Sequence, residues 1–210
     1  MPDPVLPSWA EELKARFQNG SATSFLLHGA IDDLQPWAEP EGATAWLESA
    51  DFLARFLGRS RTVVSWSPRA GLAFSSAEGE AEIRERVALR RKATGQSELG
   101  AWPREGRAVL GLLRSLVGER GLRLALVIES VELLAPAESS SPDADLTRGQ
   151  VSSLLYDPSL GLEADVVLVL ATTDLAQVDP RVSGASRLAK VLVPPPDFRA
   201  VKELVANLMV

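Results

Sequence analysis

Five short apolar runs recur along the chain and are separated by longer polar or amphipathic stretches. The runs are continuously apolar and do not alternate with polar residues, which is typical of strands that are covered on both faces. They cover residues 24–29, 61–67, 122–129, 165–172 and 189–193. The pattern therefore predicts five buried strands.

Between these runs, apolar residues recur at the spacing of amphipathic helices. One predicted helix carries Trp46, Leu53 and Leu57 on one face, and residues 30–42 before it are predicted to form a polar loop. Further helices are predicted from Ser8, at 79–92, from Pro103, at 147–155, at 180–185 and after Asp197. Connections of this length can cross over a sheet and so join parallel strands.

The alternation of strands and helices continues along the whole chain. We therefore predict one α/β domain over residues 1–210, built on a doubly wound parallel five-stranded sheet. The two most apolar strands, 122–128 and 165–171, are expected to lie side by side and parallel at its centre. In such a sheet, sites lie at the carboxyl ends of the strands.

The composition excludes several kinds of site. The 210 residues include no cysteine and one histidine, His28, so disulfides, zinc–thiolate sites and histidine-based metal clusters are ruled out. The net charge of −6 does not favour nucleic acid or an anionic membrane. The basic stretch 84–93 also contains glutamate, which is typical of a solvated helix face. We expect a cytoplasmic protein, because no apolar run approaches the roughly 20 residues of a membrane span and no basic signal peptide is evident.

Three segments at the predicted strand ends follow one another in a distinctive order. They are LALVIESVELLAP at 124–136, VLVLATTDLAQVDPRV at 167–182 and ASRLAKVLVPPPDFRAVKEL at 185–204. In order and spacing they resemble the strand-end motifs of AAA+ ATPases. The resemblance implies the core fold of a P-loop NTPase, here without the helical lid domain.

The same resemblance assigns positions to individual residues. Glu129 takes the position of the metal-associated aspartate of the family, and Ser130 takes that of its catalytic glutamate. Asp174, after Thr173, stands where the sensor asparagine is found. Arg187 matches an arginine that can reach a neighbouring subunit.

The phosphate loop of the family, G-x-x-x-x-G-K-[ST], is missing after the first strand. Such a loop wraps phosphates with backbone N–H groups and neutralises them with a lysine. Here Gly29 is followed by no second glycine, lysine or hydroxyl, and Asp32 and Asp33 stand near the expected lysine position. Two carboxylates would repel a triphosphate. We therefore expect vestigial nucleotide-site positions, with no catalytic residue, no metal site and no cofactor.

The opening FLLHG..D at 25–32 resembles a bacterial AAA family in which a degenerate first domain precedes an intact ATPase domain. This implies that the chain is the N-terminal part of a longer protein. It also implies that the partner is an active AAA+ domain, in the same polypeptide or in another one.

Several residues keep a second interpretation. Glu129 is either a vestigial metal-site acid or a strand-end carboxylate that bonds a neighbour. Asp32 and Asp33 either bind a cation or belong to a solvated loop. Arg187 is either an inter-subunit arginine or a residue that is exposed on the surface or paired within the chain. His28 is expected to be structural, because no partner nucleophile is evident.

Three functional hypotheses follow. The first is a catalytically inactive AAA+-like module that assembles or regulates an ATP-dependent remodelling machine through protein contacts. The second is an ATP-binding ATPase with a non-standard phosphate loop, which would need ATP and magnesium. The third is nucleic-acid handling, as in inactive clamp-loader-like subunits, and the acidic balance counts against it. The first hypothesis implies a monomeric or weakly associated domain.

Overall fold

The computed structural model describes residues 6–38, 44–119, 121–139, 141–160, 166–198, 201–202 and 204–205. Eight strands lie in this part of the chain: β1 (Ser24–Gly29), β2 (Gln35–Ala38), β3 (Thr44–Leu47), β4 (Thr62–Ser67), β5 (Gly71–Phe74), β6 (Leu124–Ile128), β7 (Val167–Thr172) and β8 (Leu188–Val193). Its α-helices are α1 (Ser8–Gln18), α2 (Ser49–Gly58), α3 (Ala77–Ala93), α4 (Gly106–Val117), α5 (Pro142–Leu155) and α6 (Pro180–Ser183). Short 3₁₀ helices follow at Val131–Leu133, Pro158–Leu160 and Leu175–Gln177.

Six strands form the main sheet in the order β5-β4-β6-β7-β1-β8. All five predicted strands are in it and are parallel, while β5 is antiparallel to β4 at one edge. The predicted five-stranded sheet is therefore corrected to six strands, because a four-residue strand behind a tight turn is too short to show a pattern. The prediction that β6 and β7 pair in parallel at the centre is confirmed, with Leu126 opposite Leu168.

A two-stranded antiparallel sheet, β2–β3, begins within the predicted polar loop, because β2 occupies residues 35–38 of it. Trp46 belongs to β3 and pairs with Pro36, so its predicted place on the following helix is wrong. Helix α2 begins only at Ser49, after the hairpin. Trp37 is buried and meets the ring of Phe52 edge-on, with 5.4 Å between the ring centroids. Local periodicity was misleading here because Trp46 is only half-buried and its place is set by pairing with another strand.

Helices pack on both faces of the sheet, and two apolar clusters result. Along β1, Phe25 and Leu27 point to the face covered by α1 and α2, while Leu26 points to the face covered by α3, α4 and α5. On β6, Val127 points to the face covered by α1 and α2, and Leu126 points to the other face. Every residue of β6 and β7 is buried, as their continuously apolar sequence predicts.

The basic stretch of α3 is engaged in contacts within the chain. Arg84 pairs with Glu80 one turn earlier, and Arg86 does the same with Glu82. These contacts confirm the interpretation of this stretch as a charged helix face. The predicted helix after Asp197 is helical at its described positions, and its end lies outside the described residues. None of the helices in the described ranges is long and apolar enough to cross a membrane.

A buried arginine on α5 ties three parts of the chain together. The Arg148 guanidinium lies 2.6 Å from a carboxylate oxygen of Asp179 and 2.6 Å from one of Asp145. It also donates to the backbone carbonyls of Pro136 and Ser139, at 3.1 and 2.9 Å. Both Arg148 and Asp179 are buried. One guanidinium therefore holds together the loop after β6, helix α5 and the start of α6.

Sequence analysis did not single out Arg148. A signal was present, because Arg148, Val151 and Leu155 share one face of a helix at the i, i+3, i+7 spacing and both apolar residues are buried. A cation on the apolar face of a helix indicates a buried partner.

We expect Arg148→Ala to lower the free energy of unfolding by about 3–5 kcal/mol, because it leaves the Asp179 carboxylate buried without its cation. Chemical denaturation gives this value. Arg107→Ala, on the exposed side of α4, should change it by no more than about 0.5 kcal/mol. Adding Asp179→Asn to Arg148→Ala should restore part of the loss. A double variant as unstable as the single one would contradict the electrostatic cause.

Candidate functional site

A cleft of about 1020 Å³ opens at the carboxyl ends of β1, β4 and β6 and continues along β4 and β5, where Val63, Ser65 and Ala73 line it. Its walls are the β1–β2 connection, the start of α2 and the turn between β4 and β5, and Glu129 with Ser130 follows β6 at its base. We call it the strand-end cleft. Its position is the one that parallel topology predicts for a site.

At Gly29, where β1 ends, the backbone passes close to Val193 at the end of β8; we call this segment the passage after β1. The φ angle of Gly29 is +105°, and a Cβ atom there would lie 2.6 Å from the carbonyl oxygen of Val193. The Gly29 N–H donates to the Thr173 carbonyl at 3.3 Å, and the Ala30 N–H donates to the Val193 carbonyl at 2.9 Å. The Ile31 N–H donates back to the Gly29 carbonyl at 2.8 Å. Three consecutive backbone donors at the place of a phosphate loop are therefore bonded within the protein.

No helix follows this passage. The chain continues into β2, and the side-chain amide of Gln35 donates to the carbonyls of Ala30 and Asp33 at 3.3 and 3.2 Å. Asp32 and Asp33 are both exposed, and Asp32 lines the cleft. A helix that began here would supply free N–H groups and a partial positive charge to an anion, and a strand supplies neither.

Glu129 lies half-buried at the base of the cleft, where its N–H donates to the Trp66 carbonyl at 3.0 Å. Burial raises the pKa of its carboxyl, and the negative charges of Glu48, Asp32 and Asp51 raise it further. All four carboxylates line the cleft. The site therefore concentrates negative charge.

Ser130 follows directly and also lines the cleft. Its φ angle of 51° lies in the left-handed region, which residues other than glycine adopt infrequently. This backbone turns the chain sharply from β6 into the 3₁₀ helix that begins at Val131. The hydroxyl stands where the resemblance places the catalytic glutamate, and a hydroxyl carries no comparable base.

Thr173 and Asp174 lie at the end of β7 and do not line the cleft. The Thr173 carbonyl accepts the N–H of Gly29. One carboxylate oxygen of Asp174 accepts the N–H of Ala176 at 2.8 Å and so caps the short helix Leu175–Gln177. This local role agrees with the turn-forming character of these residues.

Arg187 lies at the end of the sheet where the parallel strands begin, and the strand-end cleft lies where they end. It immediately precedes β8, whose first residue pairs with Ser24 at the start of β1. Because these strands are parallel, the exposed Arg187 is on the amino-terminal edge, away from the strand-end cleft of its own chain. His28 is on β1, and burial, followed by the charge of Lys190, lowers the pKa of its imidazole.

The comparisons with known proteins agree with this geometry. A family model described as "AAA+ chaperone, N-terminal Rossmann-like domain" matches residues 1–194. The chain belongs to this family. No curated protein gives a significant match. The resemblance drawn from three strand-end segments is thus confirmed, and this AAA+ chaperone N-terminal domain has a mostly parallel, six-stranded α/β fold.

In this AAA+ chaperone N-terminal domain, Glu48 and Asp51 belong to the cleft although the sequence analysis passed over them. Both are at the start of α2, where acidic residues are expected as partners of the helix dipole. Only the packing of α2 against the sheet brings them near Glu129. Among the described residues, no three histidine, cysteine, aspartate or glutamate side chains are arranged to hold a metal ion.

We expect Glu129→Gln to stabilise the AAA+ chaperone N-terminal domain at pH 7. The raised pKa means that the folded protein binds this proton more tightly than the unfolded chain, so stability falls as the pH rises from the unfolded value of about 4.3 through the folded-state value. The gain in Glu129→Gln should therefore shrink toward zero below about pH 4.

Thermal or urea unfolding of both proteins across this pH range measures the difference. Glu98→Gln removes one carboxylate from an exposed position outside the cleft and should change stability by no more than about 0.5 kcal/mol. Lower stability of Glu129→Gln at pH 7 would show that the Glu129 charge is favourable in the fold.

Proposed function

We propose that this domain is an AAA+-like module that does not hydrolyse ATP by itself and that assembles or regulates an ATP-dependent remodelling machine through protein contacts. The observation that carries the proposal is the passage after β1. Its Gly29 and Ala30 N–H groups are bonded to Thr173 and Val193, and it leads into a strand. A triphosphate would therefore find these donors already engaged.

The electrostatics of the cleft support the same proposal. Of the described residues, four carboxylates and one guanidinium, that of Arg69, line the cleft. A triphosphate carries the same sign of charge as the carboxylates, so binding would add repulsion to the cost of desolvation. Catalysis of phosphoryl transfer depends on positive groups that hold and neutralise the phosphates, and one arginine offers little of this.

The proposal also names a partner. The family is defined as an N-terminal domain of AAA+ chaperones, which supports an active AAA+ domain as the partner, in the same polypeptide or in another one. The domain would then be the N-terminal part of a longer cytoplasmic protein and would need no cofactor of its own. Arg187 lies at the amino-terminal end of the strands, away from the cleft of its own chain. An arginine in this position can contact a neighbouring subunit.

ATP with magnesium should show no saturable binding to the domain in the micromolar range by calorimetry. Ser130→Glu should not create ATP hydrolysis, because a base has no effect unless the triphosphate is first held and neutralised. Ser97→Glu, on an exposed loop outside the cleft, controls for contaminating ATPase. Magnesium-dependent ATP binding, or turnover in Ser130→Glu alone, would support an ATPase with a non-standard loop instead.

The isolated domain should be monomeric or weakly associated, and ATP with magnesium should not change this. Stable interfaces between subunits bury on the order of 1,000 Å² or more, and a ligand shifts an assembly only through differential binding. Light scattering over a concentration series, with and without nucleotide, measures the mass. Arg187→Ala should leave that mass unchanged. Hexamers that form only with nucleotide would contradict the proposal.

A further inference from the structure

The strand-end cleft is apolar as well as acidic. Leu34 from the β1–β2 connection, Ala54 from α2 and Phe74 from β5 all contribute to its lining. Leu133 also lines it and is 64% exposed. Half-buried apolar side chains grouped with an exposed leucine in a concave surface are typical of sites where another protein binds.

The charged residues of the cleft do not balance one another. In the described part of the lining, one cation, Arg69 on the turn between β4 and β5, stands against four carboxylates, those of Asp32, Glu48, Asp51 and Glu129. The start of α2 contributes a partial positive charge of about half a unit, and Glu48 and Asp51 at that end outweigh it. Burial raises the pKa of the Glu129 carboxyl, and the other three carboxylates raise it further. Among the described residues, no arginine or lysine lowers this pKa. A positive charge that entered the cleft would relieve this repulsion.

The side chains that line the cleft limit the kinds of ligand that it can bind. No three acidic side chains of the described residues are arranged as metal ligands, which disfavours a bare cation. Nucleic acid has the same sign of charge as the cleft and would be repelled. Apolar walls next to carboxylates suit a chain that carries both aliphatic and basic side chains, since lysine and arginine have apolar stems and charged ends.

We propose that the strand-end cleft docks a cationic, partly apolar segment of a partner protein, with a lysine or arginine directed toward Glu129 and an apolar side chain packed on Leu133. This proposal rests on the proposed function, because a nucleotide would compete for the same cleft. It specifies the kind of protein contact that the module makes. Charge complementarity sets the specificity and the rate of association, and the apolar contact adds affinity.

Fluorescence anisotropy with a short labelled peptide of alternating leucine and lysine tests the proposal on the whole chain. A peptide with glutamate in place of lysine is the matched probe. We expect saturable binding of the lysine peptide and none of the glutamate peptide. Raising the salt concentration from about 0.05 to 0.5 M should weaken the binding several-fold, because partly exposed charges are screened.

Two sets of variants locate the contact. Asp32→Asn, Asp51→Asn and Glu129→Gln together should weaken the lysine peptide about ten-fold or more, and Leu133→Ser should weaken it about three-fold or more. The control is Glu11→Gln, Glu98→Gln and Glu138→Gln together, which makes the same charge change at exposed positions outside the cleft. It should keep the affinity within about two-fold. Thermal unfolding confirms that each variant is folded.

The outcomes separate this proposal from the one on which it rests. Equal weakening in the cleft and control triple variants, or equal binding of both peptides, would overturn the docking site. ATP with magnesium that displaces the lysine peptide would overturn the proposed function and leave the docking site in place. Retained affinity in Leu133→Ser would remove the apolar contact from the proposal and reduce it to charge alone, which would also overturn it.

Discussion

The close passage of Gly29 beside Val193 is the constraint on which the rest of the cleft depends. Only glycine fits there, because a Cβ atom would lie 2.6 Å from a carbonyl oxygen in a backbone conformation that other residues rarely adopt. The hydrogen bond from Ala30 to Val193 then fixes the direction in which the chain leaves β1. That direction leads to the β2–β3 hairpin, and the edge of the sheet stays open as a cleft.

In the open cleft a partly buried carboxylate lies close to other negative charges. Glu129 is half-buried at the end of a fully buried strand, and the fold brings three more carboxylates toward it. Such an arrangement costs stability, and among the described residues that line the cleft Arg69 is the one cation that can offset it. Proteins retain costs of this kind where a site is used, and the buried Arg148–Asp179 pair shows that this same fold does neutralise a buried carboxylate elsewhere.

The main sheet was predictable because its central strands are buried on both faces, so their sequences are continuously apolar. Strand β5 and the hairpin were not, since short strands and half-exposed aromatic residues show no clear period. Part of the site followed from topology, which brings Gly29, Asp32, Glu129 and Ser130 to one edge. The contributions of Glu48 and Asp51 could not be predicted, because they depend on how α2 packs in three dimensions.

The Arg148 guanidinium also has a consequence for how the domain opens. It donates to the carbonyl oxygens of residues 136 and 139, before α5, and pairs with the carboxylate of residue 179, after β7. The loop before α5 and the segment after β7 are thus both bound to the Arg148 guanidinium. Neither can detach without stranding a buried charge, so local unfolding of one carries the other with it. The loop after β6, helix α5 and the start of α6 are thus coupled in stability through one side chain.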